Sequence, residues 1–222
     1  RIELIAAPWA DLTTPSIQLG ALQAHLDQCA IPDVTTRSYS AFLEVPYRLL
    51  SVLIKKWSVL QSYDEYLYCL ALLKKFRPEL LAKPGQTLKE LIELLHQEPF
   101  FKTGQEQMLD ERLLNWLIKT SDGYIEDKEL PSTKDDELRV YGFTMNYAQV
   151  HSSLYFAKTI LEESTNKNVL FLFGGMSAAV PHVVSLIASM GLPAYCVLGE
   201  GEKKVEFIAR ACASASTYEE AK

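Results

Sequence analysis

Long apolar runs are missing from this chain: none approaches the roughly 20 residues that a membrane helix requires. The opening residues, Arg1-Ile2-Glu3-Leu4-Ile5, read as a strand rather than a signal peptide, so no membrane partner and a cytoplasmic location are expected. Positive charge is also short. Lys and Arg number 22 against 28 Asp and Glu, the net charge is -6, and no basic stripe is interleaved with aromatics. Nucleic acid is therefore not an expected partner. The four cysteines, Cys29, Cys69, Cys196 and Cys212, and the four histidines, His25, His96, His151 and His182, are dispersed. Local spacing supplies neither a zinc site nor an iron–sulfur loop, so no metal site is expected. Buried thiols in a reducing compartment and histidines on surfaces or helix flanks are the expectation. Finally, no Gly-x-Gly-x-x-Gly or Walker loop follows Ile2 to Ala6, which leaves a flavin or nucleotide without a phosphate cradle after the first strand.

What is present is a chain of 222 residues, 48% hydrophobic, enough for one sizeable domain or a domain with a large insertion. Its most informative stretch is Asn168 to Gly175. Five consecutive large apolar residues, Val169 to Phe173, suit a central strand covered on both faces. Gly174 and Gly175 follow where the chain leaves the sheet, and glycine there serves either a plain turn or a flat ligand lying against bare backbone.

Around that strand the chain alternates. Ile2 to Ala6 reads as a strand and Ala7 to Thr14 as a loop. Thr14-Pro15-Ser16 caps a helix running to about Gln28, with Ile17, Ala21, Leu22, Ala24 and Leu26 on its buried side. Gly20 inside that helix points to close approach, by a neighbour or by a ligand. Val34 to Tyr39 is a second strand. From residue 41 to 130 the pattern turns helical (Phe42 to Leu60, Tyr63 to Phe76, Leu88 to His96, Met108 to Ile118), with aromatics suited to its own core and to contact with the sheet. Alternation resumes with a strand from Leu138 to Phe143, a helix from Ala148 to Glu163, the Val169 strand, a helix from Ala179 to Met190, a strand from Tyr195 to Leu198, and a helix from Lys203 to Ala213. This pattern predicts a flavodoxin-like or Rossmann-like α/β fold: a doubly wound, parallel, five-stranded sheet built from residues 1–40 and 131–222, with 41–130 inserted after the second strand. Ligands of such sheets sit beyond the carboxyl ends of the strands.

Ala7-Pro8-Trp9-Ala10-Asp11, Pro15 to Leu22, Gly142-Phe143-Thr144 with Gln149, Ser152, Ser153 and Leu154, then Phe173-Gly174-Gly175 and Gly199-Glu200-Gly201-Glu202 fall in order along this fold. Together they resemble the N-terminal cobalamin-binding domain of cobalamin-dependent radical S-adenosylmethionine enzymes, closest to the group that matures ribosomally made peptides. The resemblance implies cobalamin held over the C-terminal edge of the sheet by Pro8, Trp9, Thr14, Ser16, Leu19, Gly20, Thr144, Met145, Gln149, Ser152, Ser153, Gly174, Gly175, Met176, Ser177, Gly199, Glu200, Gly201 and Glu202. The Gly174 to Ala178 turn would follow the nucleotide tail, Ser152 and Ser153 would hydrogen-bond it, and Gly199 to Glu202 would close the pocket.

Two departures shape the expectation. Many such domains carry Asp-x-His-x-x-Gly after the first strand, whereas this loop offers Pro8-Trp9 and no histidine before His25. Trp9 then stands either nearest the cobalt or as an apolar plug at the rim. The cluster motif Cys-x-x-x-Cys-x-x-Cys is absent, so the [4Fe–4S] cluster and S-adenosylmethionine belong to a radical domain expected after Lys222. No catalytic residue is assigned in this chain. Glu200 and Glu202 read as helix-start residues rather than an acid–base pair. The implied activity is methyl transfer to a peptide or natural product. The alternative is a cofactor-free domain of the same fold that recognises a peptide or protein partner.

Overall fold

The computed structural model describes residues 1–8, 16–41, 44–45, 57–81, 111–133, 137–146 and 149–215. Trp9, Thr14 and the helix expected over Leu88 to His96 lie outside them. The strands are β1 (Ile2–Ala6), β2 (Thr36–Ser40), β3 (Arg139–Thr144), β4 (Val169–Gly174) and β5 (Ala194–Val197). They form one all-parallel sheet in the order β2-β1-β3-β4-β5. This is the flavodoxin-like arrangement, in which the strand order reverses between β1 and β3 and leaves a crevice at their carboxyl ends. β4 is central and apolar on both faces because helices cover both faces.

The helices are α1 (Ile17–Cys29), α2 (Trp57–Phe76), α3 (Pro78–Leu81), α4 (Glu111–Asp127), α5 (Val150–Glu163), α6 (Pro181–Ser189) and α7 (Gly201–Ala213), with a 3-10 turn over Met176–Ala179. Two cores lie on opposite faces of the sheet. One is built by Ile5, Tyr141, Phe143, Phe171 and Phe173 with α5 and the helices of the insertion. The other is built by Leu4, Val140, Leu170, Leu172 and Val197 with α1 and α7. Alternate residues of β3 and β4 thus enter different cores, as the pleat dictates.

The described part of the insertion shares the first core. Tyr68 meets Tyr155 edge-on at 5.6 Å between ring centroids, and Tyr124 packs on Phe156 at 6.1 Å. Polar anchors fix that layer: Tyr155 donates a hydrogen bond to Asp122 at 2.7 Å, and Lys75 pairs with the same carboxylate at 2.8 Å. Arg139, 4% exposed, reaches from β3 to the carbonyls of Glu129, Leu130 and Pro131 at 3.1 to 3.3 Å while pairing with Glu137. The Tyr141 hydroxyl joins it, donating to the Leu130 carbonyl at 2.5 Å, so a guanidinium and a phenol together satisfy the carbonyls beyond α4.

Several boundaries differ from the sequence reading. Ser16 is the cap of α1, its hydroxyl accepting from the Leu19 amide at 3.3 Å, so the helix begins beyond Thr14-Pro15. α2 is one helix across Gln61-Ser62, and α4 continues to Asp127 through Gly123, since no proline interrupts either. Gly20 is exposed, and a Cβ placed on it would meet nothing within 4 Å, so close packing does not account for it among the described residues.

Candidate functional site

The sheet face under α1 and α7 carries two small residues at its centre. Across the strands, Leu4 pairs with Gly142 and Gly142 with Leu172; one pleat further on, Thr144 pairs with Gly174 and Gly174 with Val197. Where neighbouring strands bear leucine or valine, β3 and β4 bear hydrogen. A hollow follows over Gly174, where an added Cβ would meet nothing closer than 3.8 Å, because side chains facing one way on adjacent strands fill the space between sheet and helix; over Gly142 the Leu4 side chain leans in, its Cδ2 2.9 Å from where a Cβ would stand.

That hollow is a cavity of about 350 Å³. Its floor is Gly142 and Gly174 between Leu4, Leu172 and Val197; its far wall is Leu19 and Leu22 of α1 with Val205 of α7. Thr144, Gly175, Gly199, Gly201, Glu202 and Gln18 surround its opening at the carboxyl end of the strands. Polar groups are thus confined to one end of an apolar slot, the pattern of a pocket that orients an apolar ligand through a few contacts at its rim. Gly174 remains half-buried although it sits mid-sheet, consistent with the space above it.

Gly175 has a different task. Its φ is +98°, and a Cβ there would lie 2.6 Å from the Met145 carbonyl oxygen. The exits of β3 and β4 cross at this point: the Met145 amide donates to the Gly174 carbonyl at 2.6 Å, and the Ser177 amide to the Met145 carbonyl at 3.2 Å. Glycine is required there by backbone against backbone, whether or not a ligand is bound. Gly201 begins α7 close to α1, where a Cβ would stand 3.2 Å from Leu22 Cδ2.

Of the residues expected to bind a cofactor, the structure brings Leu19, Thr144, Gly174, Gly175, Gly199, Gly201 and Glu202 to the cavity. Ser16 is occupied as a helix cap. Gln149 is buried and spent inside the protein, its amide donating to the Ala7 carbonyl at 2.7 Å and thereby tying the β1 exit to the β3 exit. Pro8 and Met145 are buried, as is Ser177. Glu200 is the exposed cap position of α7, and Glu202 lies in that helix's first turn, where a carboxylate favours the dipole.

Ser152 and Ser153 do not line the cavity. They stand in the first turn of α5, buried in the layer over Tyr141, Phe171 and Phe173, whereas the cavity opens on the face of Leu4, Leu172 and Val197. Among the described residues their hydroxyls have no hydrogen-bond partner.

Two large apolar residues at this edge are exposed where a core position would be covered: Ile17 at 84% and Met176 at 66%. Ile17, expected on the buried side of α1, instead lines the cavity and stays exposed, because Leu19 and Leu26 hold the face of α1 turned to the sheet. The residues missed in the sequence are the interior ones, above all Gly142. An isolated glycine inside a strand pattern is itself the signal, since it marks a bulge or a close approach. His25 is turned toward Glu206 on α7 at 3.1 Å and does not line the cavity, so it offers no imidazole there.

No family model matches this chain, and no curated protein or solved structure matches it either.

Proposed function

We propose that this chain is the cobalamin-binding domain of a radical S-adenosylmethionine enzyme, a methyltransferase acting on a peptide or natural product, with the [4Fe–4S] cluster and S-adenosylmethionine held by another part of that enzyme. The observation that carries the reading is the glycine-floored apolar cavity opening at the carboxyl edge of β1, β3, β4 and β5. Its volume of about 350 Å³ suits the flat aromatic base and sugar of a nucleotide tail and is too small for a corrin. The macrocycle would rest outside, over the strand ends, where the exposed Ile17 and Met176 supply apolar contact.

The residues fit such a group in kind. Leu4, Leu172, Val197, Leu19 and Leu22 exclude water from the slot, and the Thr144 hydroxyl and backbone of Gly175 and Gly199 offer hydrogen bonds at its rim. Cobalamin, when bound, supplies the cobalt chemistry of methyl transfer. This chain's own part is to hold the tail, orient the ring over the sheet edge and keep water from its underside.

Incubation with hydroxocobalamin followed by desalting tests the reading: a coloured protein with about one corrin per chain is expected, and a colourless one contradicts it. The second reading, partner recognition without a cofactor, is favoured by an apolar patch beside the edge strand β5, formed by Tyr195, Leu198 and Phe207. It predicts a colourless protein that binds a peptide saturably.

A further inference from the structure

Away from the cavity mouth, α1 and α7 meet at three side chains of metal-ligating chemistry. His25 and Cys29 lie one helical turn apart on α1 and so share a face. Glu206 reaches them from α7, across 181 residues of sequence from His25. His25 Nε2 is 3.1 Å from Glu206 Oε2 and 3.7 Å from Cys29 Sγ, and the three ligand atoms all lie within 4.8 Å of one another. Ligands around a tetrahedral zinc ion, bound at about 2.0 to 2.3 Å, stand about 3.3 to 3.8 Å apart. The cluster is already near that spacing before any ion enters. The second carboxylate oxygen, Glu206 Oε1, accepts from Arg210 Nε and Nη2, each at 2.9 Å. Arg210 thereby fixes the carboxylate plane and leaves Oε2 facing His25 and Cys29, as an outer-shell partner does in metal sites.

We propose that His25, Cys29 and Glu206 form a binding site for a zinc-class divalent cation, with a fourth position open to water. Imidazole nitrogen, thiolate sulfur and carboxylate oxygen on one ion match zinc or cobalt(II) and do not match calcium or magnesium, which take oxygen ligands. Binding forms bonds from the ion to Nε2, Sγ and Oε2 and releases the Cys29 thiol proton to solvent. All three side chains are partly exposed, which provides entry. The ion would join α1 to α7 beyond the point where Leu19, Leu22, Gly201 and Val205 of the same two helices wall the cavity, so it would brace that wall. The site stands independently of any cobalamin binding.

Calorimetric titration of the metal-free chain with zinc chloride tests it, alongside Cys29→Ser, Glu206→Gln and Cys212→Ser, each first checked by circular dichroism for native helix content. Expected are one zinc per chain and an affinity lowered at least about tenfold in both ligand variants, but unchanged in Cys212→Ser. Cobalt(II) gives a second readout: a sulfur-to-cobalt charge-transfer band present in the wild type and in Glu206→Gln at saturation and absent in Cys29→Ser. No zinc binding by the wild type, or either ligand variant binding as tightly as the wild type, overturns the proposal.

Discussion

A Cβ on Gly175 would stand 2.6 Å from the carbonyl oxygen of Met145, whereas one on its neighbour Gly174 would meet nothing closer than 3.8 Å. Two adjacent glycines therefore serve different ends. Gly175→Ala should destabilise the protein by about 2 to 4 kcal/mol, from a positive φ combined with a backbone clash. Gly174→Ala should change stability by less than about 1 kcal/mol, because the methyl group enters open space. Urea unfolding of both variants checks the contrast, and equal losses would contradict this division of labour.

Arg139 offers a second test, in the opposite layer. It is nearly inaccessible and holds three carbonyls together with Glu137. Arg139→Met should cost about 2 to 4 kcal/mol, since Glu137 loses its ion-pair partner and the Glu129 and Pro131 carbonyls their guanidinium donor, while the Leu130 carbonyl keeps the Tyr141 hydroxyl. Arg139→Lys should recover only part of the loss, because one ammonium cannot reproduce the guanidinium fork. Denaturant midpoints of the two variants measure both effects.

Glu3 makes stability depend on pH. It is fully buried in β1 beside the Arg1 side chain. Burial pushes its carboxyl above the ordinary range, against the opposing pull of Arg1, the nearby Tyr39 hydroxyl, and the charges of Arg139 and Arg37. A raised value means that the fold favours the protonated form. The contribution is fully present below the unfolded carboxyl's range and is lost as pH rises through the raised value. Glu3→Gln should therefore gain stability relative to wild type as pH climbs from acid to neutral. A wild-type-to-variant difference that stays flat over this interval would contradict the assignment.

How much of this was legible in the sequence depended on which interactions were local. β3 and β4 announced themselves because both faces are covered and both are apolar, and the alternation with helices implied a parallel sheet before its order was known. Gly174 and Gly175 drew attention as a pair, yet their separate roles depend on Val197 and Met145, which are brought near only by the sheet. Ser152 and Ser153 lie on the sheet face opposite the cavity, since spacing along α5 cannot tell which face of the sheet that helix covers. Ile17 read as core because it is apolar, although Leu19 and Leu26 are the residues that α1 turns to the sheet. The insertion's aromatics read as suited to its own core and to contact with the sheet, and Tyr68 makes that contact, joined by Tyr124. His25 and Cys29 show helical spacing, but their third partner comes from the far end of the chain.

The central claim is that the cavity over Gly174 receives the nucleotide tail of a corrinoid. Cobinamide keeps the corrin ring and lacks the tail's sugar and base, so the most direct measurement compares visible-absorbance titrations of cobalamin and cobinamide on the wild type and on Gly174→Val, whose added side chain fills the slot. Cobalamin should bind the wild type at least about tenfold more tightly than cobinamide does, and Gly174→Val should erase that preference while remaining folded. Equal affinity of the wild type for the two corrinoids, or no binding of either, would contradict the account.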